Sequence, residues 1–198
     1  MIGYLQAAPV SAAAQRLFDE DVADEGYVMN ASRLWAYQPE LLTALFDLGR
    51  SATAGRFSLR QRAILVSACA AAAGDSYCAL AWGTRLAAKA GADTAAGVLA
   101  GDDAGLTPAE QAMAAWARTV VRRSSETTPA DLDALRAADV TDEDIFAMTA
   151  FVAIRLAVMV VNDALGLPPD AELHSAAPRA VQDAVTFGRP AVLVTSSE

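Results

Sequence analysis

Apolar positions along this chain recur at helical spacing, and almost every long apolar run opens on a capping residue. Ser11 to Ala23 predicts an amphipathic helix with Leu17, Phe18 and Val22 on one side. The segment GYVMN (26–30) interrupts it. A short helix from Ala31 to Tyr37 follows, and Pro39 then opens the helix ELLTALFDLGRSA. From Arg60 to Ala73 the pattern loses its polar face and is apolar almost all round, as in a helix that protein covers on every side. Gly74 stops that helix, and Asp75 is suited to cap the next one by accepting a backbone N–H from Tyr77 or Cys78. Four further starts pair a hydroxyl with a group three residues on: Ser58 with Gln61, Thr107 with Glu110, Thr128 with Asp131 and Thr141 with Asp144. The helices so implied cover about 60–73, 76–90, 108–123, 129–137 and 142–165. After Pro168 the period fades, and a surface tail with one short helix (177–185), docked on a neighbouring subunit, is expected.

Length and composition narrow the class. With 198 residues, 54% of them hydrophobic and dominated by Ala, and with few strand signals, the chain predicts an all-α protein with a real core. One compact domain is expected, organised as an N-terminal helical segment (1–57), a central core (58–167) and the tail (168–198). A formal net charge of -9 argues against nucleic acid and anionic membranes as partners. Two cysteines make no disulfide framework. The N-terminus lacks a basic region ahead of a long apolar run, and the apolar stretch 145–161 is short for a membrane span and broken by Arg155; both favour a cytoplasmic protein. No Gly-rich phosphate loop, metal-ligand cluster or nucleophile elbow occurs, so neither cofactor nor metal is expected.

Candidate chemistry centres on the second helix of the pair. Behind the Asp75 cap, Cys78 takes the third helical position, in a positive field that favours a lowered thiol pKa, while the Asp75 charge acts the other way. Cys78 therefore reads as a nucleophilic thiol or as a small core residue. Asp75 reads as a plain cap or, beside a pocket, as a general acid or base. Cys78, Trp82, Arg85 and Lys89 share a face, and Tyr77 with Trp82 would wall a substrate or simply pack. Arg155 is the only charge between Asp144 and Asp163, so it needs a partner: a carboxylate on another helix, such as Asp75, or an anionic or carbonyl group of a ligand. Arg85 carries the same two readings. His174, the single histidine, becomes a proton shuttle only if the tail covers a pocket.

The helix, break, cysteine-bearing helix and following "KAG" resemble the core of the AhpD-like (alkylhydroperoxidase D) and carboxymuconolactone decarboxylase family. "GYVMN", "SRLWAYQPELLTAL", "TPAE", "LRAA" and "DALGLP" are similar to its peroxidase-related branch, and the likeness runs from about 26 to 173. Redox-active members carry a Glu in the first helix, then Cys-x-x-Cys, then a His four residues after the second Cys. Here the second Cys matches Cys78, the first falls on Asp75, the His on Trp82 and the Glu on about Ala63. The resemblance thus implies an AhpD-like helical bundle, a homo-oligomer, and a degenerate redox centre. On that basis the expected function is small-molecule enzymology without the dithiol, namely decarboxylation, isomerisation or cyclisation in a biosynthetic or catabolic pathway. Asp75 would be the acid/base, Arg155 or Arg85 the anchor, and Tyr77 and Trp82 the substrate wall. A single-cysteine peroxidase or thiol oxidoreductase using Cys78 is the alternative, and a non-catalytic binding protein the third.

Overall fold

The computed structural model describes residues 3–191. Among them are eleven α-helices and no strand. The first three are α1 (Ala12–Glu25), α2 (Asn30–Trp35) and α3 (Pro39–Thr53), and the central pair is α4 (Leu59–Ala73) and α5 (Ser76–Ala90). There follow α6 (Ala92–Ala100), α7 (Pro108–Arg123), α8 (Pro129–Ala137), the long α9 (Asp142–Ala164), and the short α10 (Ala171–Ala176) and α11 (Arg179–Ala184).

Helix α4 is the hub: α5, α6, α7 and α9 all pack on it. Every residue from Ala63 to Ala70 is buried, which explains why its sequence lacks a polar face. The alanines let neighbouring axes come close, and Ile64, Leu65 and Val66 fill the space between them. Burying each of these three side chains contributes roughly 1.5–3 kcal/mol. The helix starts in a full Ser58–Gln61 capping box, and Thr107–Glu110 closes the same motif on α7. Glu110 also holds Arg60 through two bonds, 2.6 Å to Nε and 3.0 Å to Nη2, which ties the start of α4 to the start of α7. Gly74 takes φ 80, a left-handed turn that only glycine makes at no steric cost, and this turns α4 into α5.

A second, smaller core joins α2 and α3 to α5 and α9 through Leu34, Trp35, Leu42, Tyr77, Val158 and Leu167. It is pinned by two buried polar contacts. The Trp35 indole N–H donates to Asn162 at 2.8 Å, and the Tyr77 hydroxyl donates to Asp170 at 2.7 Å.

The structure differs from the sequence reading in two places. The short α6 was not expected, because its small residues ADTAAGVLA begin on Gly91 without any side-chain cap. The segment after Pro168 is not a loose surface tail, and it holds two short helices instead of one. Val181 on α11 is fully buried, and α11 packs on α5 and α6 of its own chain. Beyond it, Phe187 packs on the main core and the backbone crosses the α4–α5 corner. There the Ser76 hydroxyl donates to the Arg189 carbonyl at 2.7 Å, and Arg189 Nη2 donates to the Asp163 carbonyl at 3.0 Å.

A candidate active site between α1, α3, α5 and α9

A cavity of about 500 Å³ opens between these four helices. That size suits a small organic molecule. Its apolar wall includes Trp35, Leu42, Phe46, Tyr77, Trp82 and Phe151. Glu20, Asp24 and Glu25, exposed on α1, stand at its mouth.

Cys78 is on the wall of this cavity and only 4% exposed. Its Sγ lies 3.9 Å from Arg155 Nη2. The expected lowering of its pKa by the helix N-terminus does not occur. Burial pushes the thiol well above its ordinary value, the Asp75 charge pushes it further, and Arg155 offsets only part of this. Desolvation wins because the sulfur is enclosed, whereas the helix field amounts to about half a unit of charge.

Asp75 is fully buried and caps α5, its Oδ1 accepting the Cys78 backbone N–H at 2.7 Å. It does not line the cavity, whereas Cys78 does. Asp75 Oδ2 is buried with no hydrogen-bond partner among the described residues. Burial raises its pKa to about 6, aided by the charge of Asp163 and opposed by the Cys78 N–H and by Arg155.

Arg155, half-buried on α9, does not form the expected ion pair with Asp75; it has no carboxylate within 4.0 Å among the described residues. It lies over the rings of Trp82 (5.2 Å) and Phe46 (5.5 Å) instead, and its buried Nε has no partner among those residues. Arg85 lines the same cavity, over Trp82 at 5.4 Å, and pairs with Glu25 at 3.3 Å across to α1. Tyr77 and Trp82 both face the cavity, although the Tyr77 hydroxyl is committed to Asp170. Lys89 and His174 do not reach it.

The aromatic residues from α2, α3 and α9 and one half-buried cation were not singled out in the sequence. Arg62, at the start of α4, lines the cavity half-buried, and its Nε too is buried without a partner among the described residues. Its signal was there to see: a cation inside the first turns of a helix otherwise apolar all round. Cys69, on α4, is fully buried with its Sγ 3.7 Å from Met159 Sδ, and burial pushes its thiol up to about 12. Neither cysteine is in a disulfide.

No family model matches the chain, and no curated protein does either. Solved structures do. A peroxidase-related protein with an alkylhydroperoxidase AhpD core from Ralstonia eutropha JMP134 aligns with a TM-score of 0.73 at 24% identity, over 87% of this chain and 95% of that one. A peroxidase-related protein from Silicibacter sp. TM1040 gives 0.75 at 22% identity, over 87% and 94%. The debrominase Bmp8, in a cysteine-to-alanine variant in complex with 2,3,4-tribromopyrrole, gives 0.69 at 17% identity, over 93% and 97%. Over nearly its whole length, then, this chain has the AhpD-like all-α fold.

Proposed function

We propose that this protein is a small-molecule enzyme of the AhpD-like fold that works without a redox dithiol, with Cys78 as its nucleophile and Asp75 as the acid/base that serves it. The observation that carries this reading is a thiol on the cavity wall with a guanidinium 3.9 Å away and, behind it at the cap of the same helix, a buried carboxylate with one oxygen unpartnered among the described residues. A thiol in this setting stays protonated at rest. It reacts when its proton passes to Asp75 as the sulfur bonds to an electron-poor unsaturated carbon. The electron pair displaced from the attacked double bond settles on the substrate's acceptor group beside Arg155. Reversal of these steps after bond rotation re-forms the double bond, returns the proton and frees Cys78, giving isomerisation with no net oxidation. Asp75, with a pKa raised to about 6, is matched to take up and return a proton near neutrality. The solved fold neighbours lend support of a coarser kind, since one of them, Bmp8, is a debrominase seen in complex with a small aromatic molecule.

A peroxidase reading is favoured by the placement of Cys78 on the cavity wall. In it a hydroperoxide oxidises Cys78 to a sulfenic acid, releasing an alcohol, and two equivalents of an external thiol restore it with loss of water. One experiment separates the two. The whole protein is treated with N-ethylmaleimide across a pH series and followed by intact mass, in parallel with cumene hydroperoxide consumption in the presence of dithiothreitol. A single adduct at Cys78 is expected, with a rate rising through about pH 6 and falling at least tenfold in Asp75→Asn. No hydroperoxide turnover is expected. Labelling at Cys69, or an Asp75→Asn variant that reacts like the wild type, would overturn the paired-residue reading. Catalytic hydroperoxide consumption lost in Cys78→Ser would install the peroxidase in its place.

A further inference from the structure

The protein carries an excess of carboxylates, 24 against 15 Lys and Arg, so an arginine that lacks an acidic partner is conspicuous. Most of its arginines are either exposed or bonded to a carboxylate or carbonyl. Arg62 and Arg155 are neither. They start from different helices, α4 and α9, and line the same cavity half-buried. Neither has a carboxylate within 4.0 Å among the described residues, and each keeps a buried Nε with no acceptor there. A partly desolvated guanidinium without a carboxylate is unfavourable in the empty protein, and an anion entering the cavity supplies the missing negative charge to both residues.

The rest of the cavity sets the shape and polarity of that anion. Aromatic rings from four elements line it: Trp35 on α2, Phe46 on α3, Tyr77 and Trp82 on α5, and Phe151 on α9. Such walls favour a flat unsaturated body over a flexible polar one. At the mouth, Glu20, Asp24 and Glu25 repel a second negative charge, and Glu25 is already partnered by Arg85. The half-buried Asp21 on the same helix accepts the Met29 N–H at 2.9 Å and has no donor to spare for an anion either. A ligand that satisfies both ends therefore has one anionic group directed inward and a neutral remainder.

We propose that the cavity is a binding site for small planar unsaturated or aromatic monocarboxylates, with the carboxylate held by Arg62 and Arg155 and the ring or conjugated chain laid against Trp82, Phe46 and Phe151. This specificity rests on the enzyme reading above only in using the same cavity. It assigns the acceptor group of the substrate, a carboxylate conjugated to the attacked double bond and anchored beside Cys78. It also gives Arg62 a role as a binding residue.

The test is equilibrium binding of benzoate to the whole protein, followed by calorimetry and by the fluorescence of Trp35 and Trp82, with neutral benzamide as the isosteric comparison. Benzoate does not react with thiols, so the result is independent of whether Cys78 is a nucleophile. A failure here leaves the thiol reading intact, and a failed thiol assay leaves this one intact. Benzoate is expected to bind at least tenfold more tightly than benzamide, and Arg62→Gln and Arg155→Gln are each expected to remove that preference while Arg122→Gln, exposed on α7, preserves it. The benzoate–benzamide comparison on the wild type stands even if a cavity variant folds poorly. Equal binding of the two ligands, no binding of benzoate at millimolar concentration, or variants that weaken both ligands alike would each overturn the carboxylate clamp.

Discussion

Replacing Asp75 by Asn isolates the free energy stored in one buried carboxylate. The amide oxygen of Asn still accepts the Cys78 N–H, so the cap on α5 is kept and only the charge is removed. In the wild type, burial moves the Asp75 pKa from its ordinary 3.8 to about 6. A rise of that size corresponds to about 3 kcal/mol. The sign follows from which state holds the proton. Below the unfolded value both states are protonated and the burial penalty is absent. As pH rises from about 4 to 6 the unfolded chain ionises while the folded one keeps its proton, so stability falls; above 6 the folded protein carries the whole penalty. The Asn side chain has no such dependence. Its amide N–H group takes the place of an oxygen that has no partner, at a pH-independent cost of about 1–3 kcal/mol. The stability difference between variant and wild type should therefore shift by about 2.5 kcal/mol toward the variant between about pH 4 and about pH 7.5. Asp21, Asp163 and Asp170, also raised by burial, are common to both proteins and cancel. Urea titrations followed by tryptophan fluorescence at each pH measure it. Two stability–pH curves that run parallel would refute the reasoning, because Asp75 would then titrate as an ordinary exposed acid.

Two further outcomes follow from the segment after Pro168 and from the outer face of α9. A side-chain carbon at Gly188, where φ is +72, would stand 2.5 Å from the Gly74 carbonyl oxygen, so Gly188→Ala should cost roughly 1–3 kcal/mol and expose the chain around Arg189 to trypsin. Unchanged proteolysis would show that this crossing does not hold the α4–α5 corner. On α9, Phe146 (78% exposed) and Val160 (56%) lie in an outward stripe with the exposed Ala153 and Ala157, and we propose that copies of this chain associate through it. Light scattering after size exclusion should find an oligomer that Phe146→Asp with Val160→Asp converts to monomer; a monomeric wild type would end that proposal.

Local chemistry wrote much of this architecture into the sequence. The serine and threonine caps at positions 58, 107 and 141 set helix starts because their hydroxyls satisfy backbone donors within three residues, and Gly74 with Asp75 sets the corner between α4 and α5 for the same short-range reason. The all-round apolar pattern of 60–73 announced the central helix, since only a helix enclosed by others can dispense with a polar face. Short-range reasoning failed where small residues carry no cap, as in α6, and where burial is decided by distant chain, as at Val181 and Phe187. It failed most at the site. Spacing placed Cys78 in the favourable field of a helix start, but enclosure by α4, α9 and the cavity wall determines its protonation, and desolvation outweighs that field. The isolation of Arg155 in an apolar helix likewise suggested a carboxylate such as Asp75 as its partner. Packing instead put the guanidinium against Trp82, Phe46 and the Cys78 sulfur, and brought Arg62 to the same cavity from the far end of another helix. The sequence alone determined the capped helices, the corner and most of the residues that could react, because those depend on neighbours a turn away. The tertiary structure decided which of them meet and in what charge state, because desolvation and electrostatic contact act through space between segments that the chain keeps far apart.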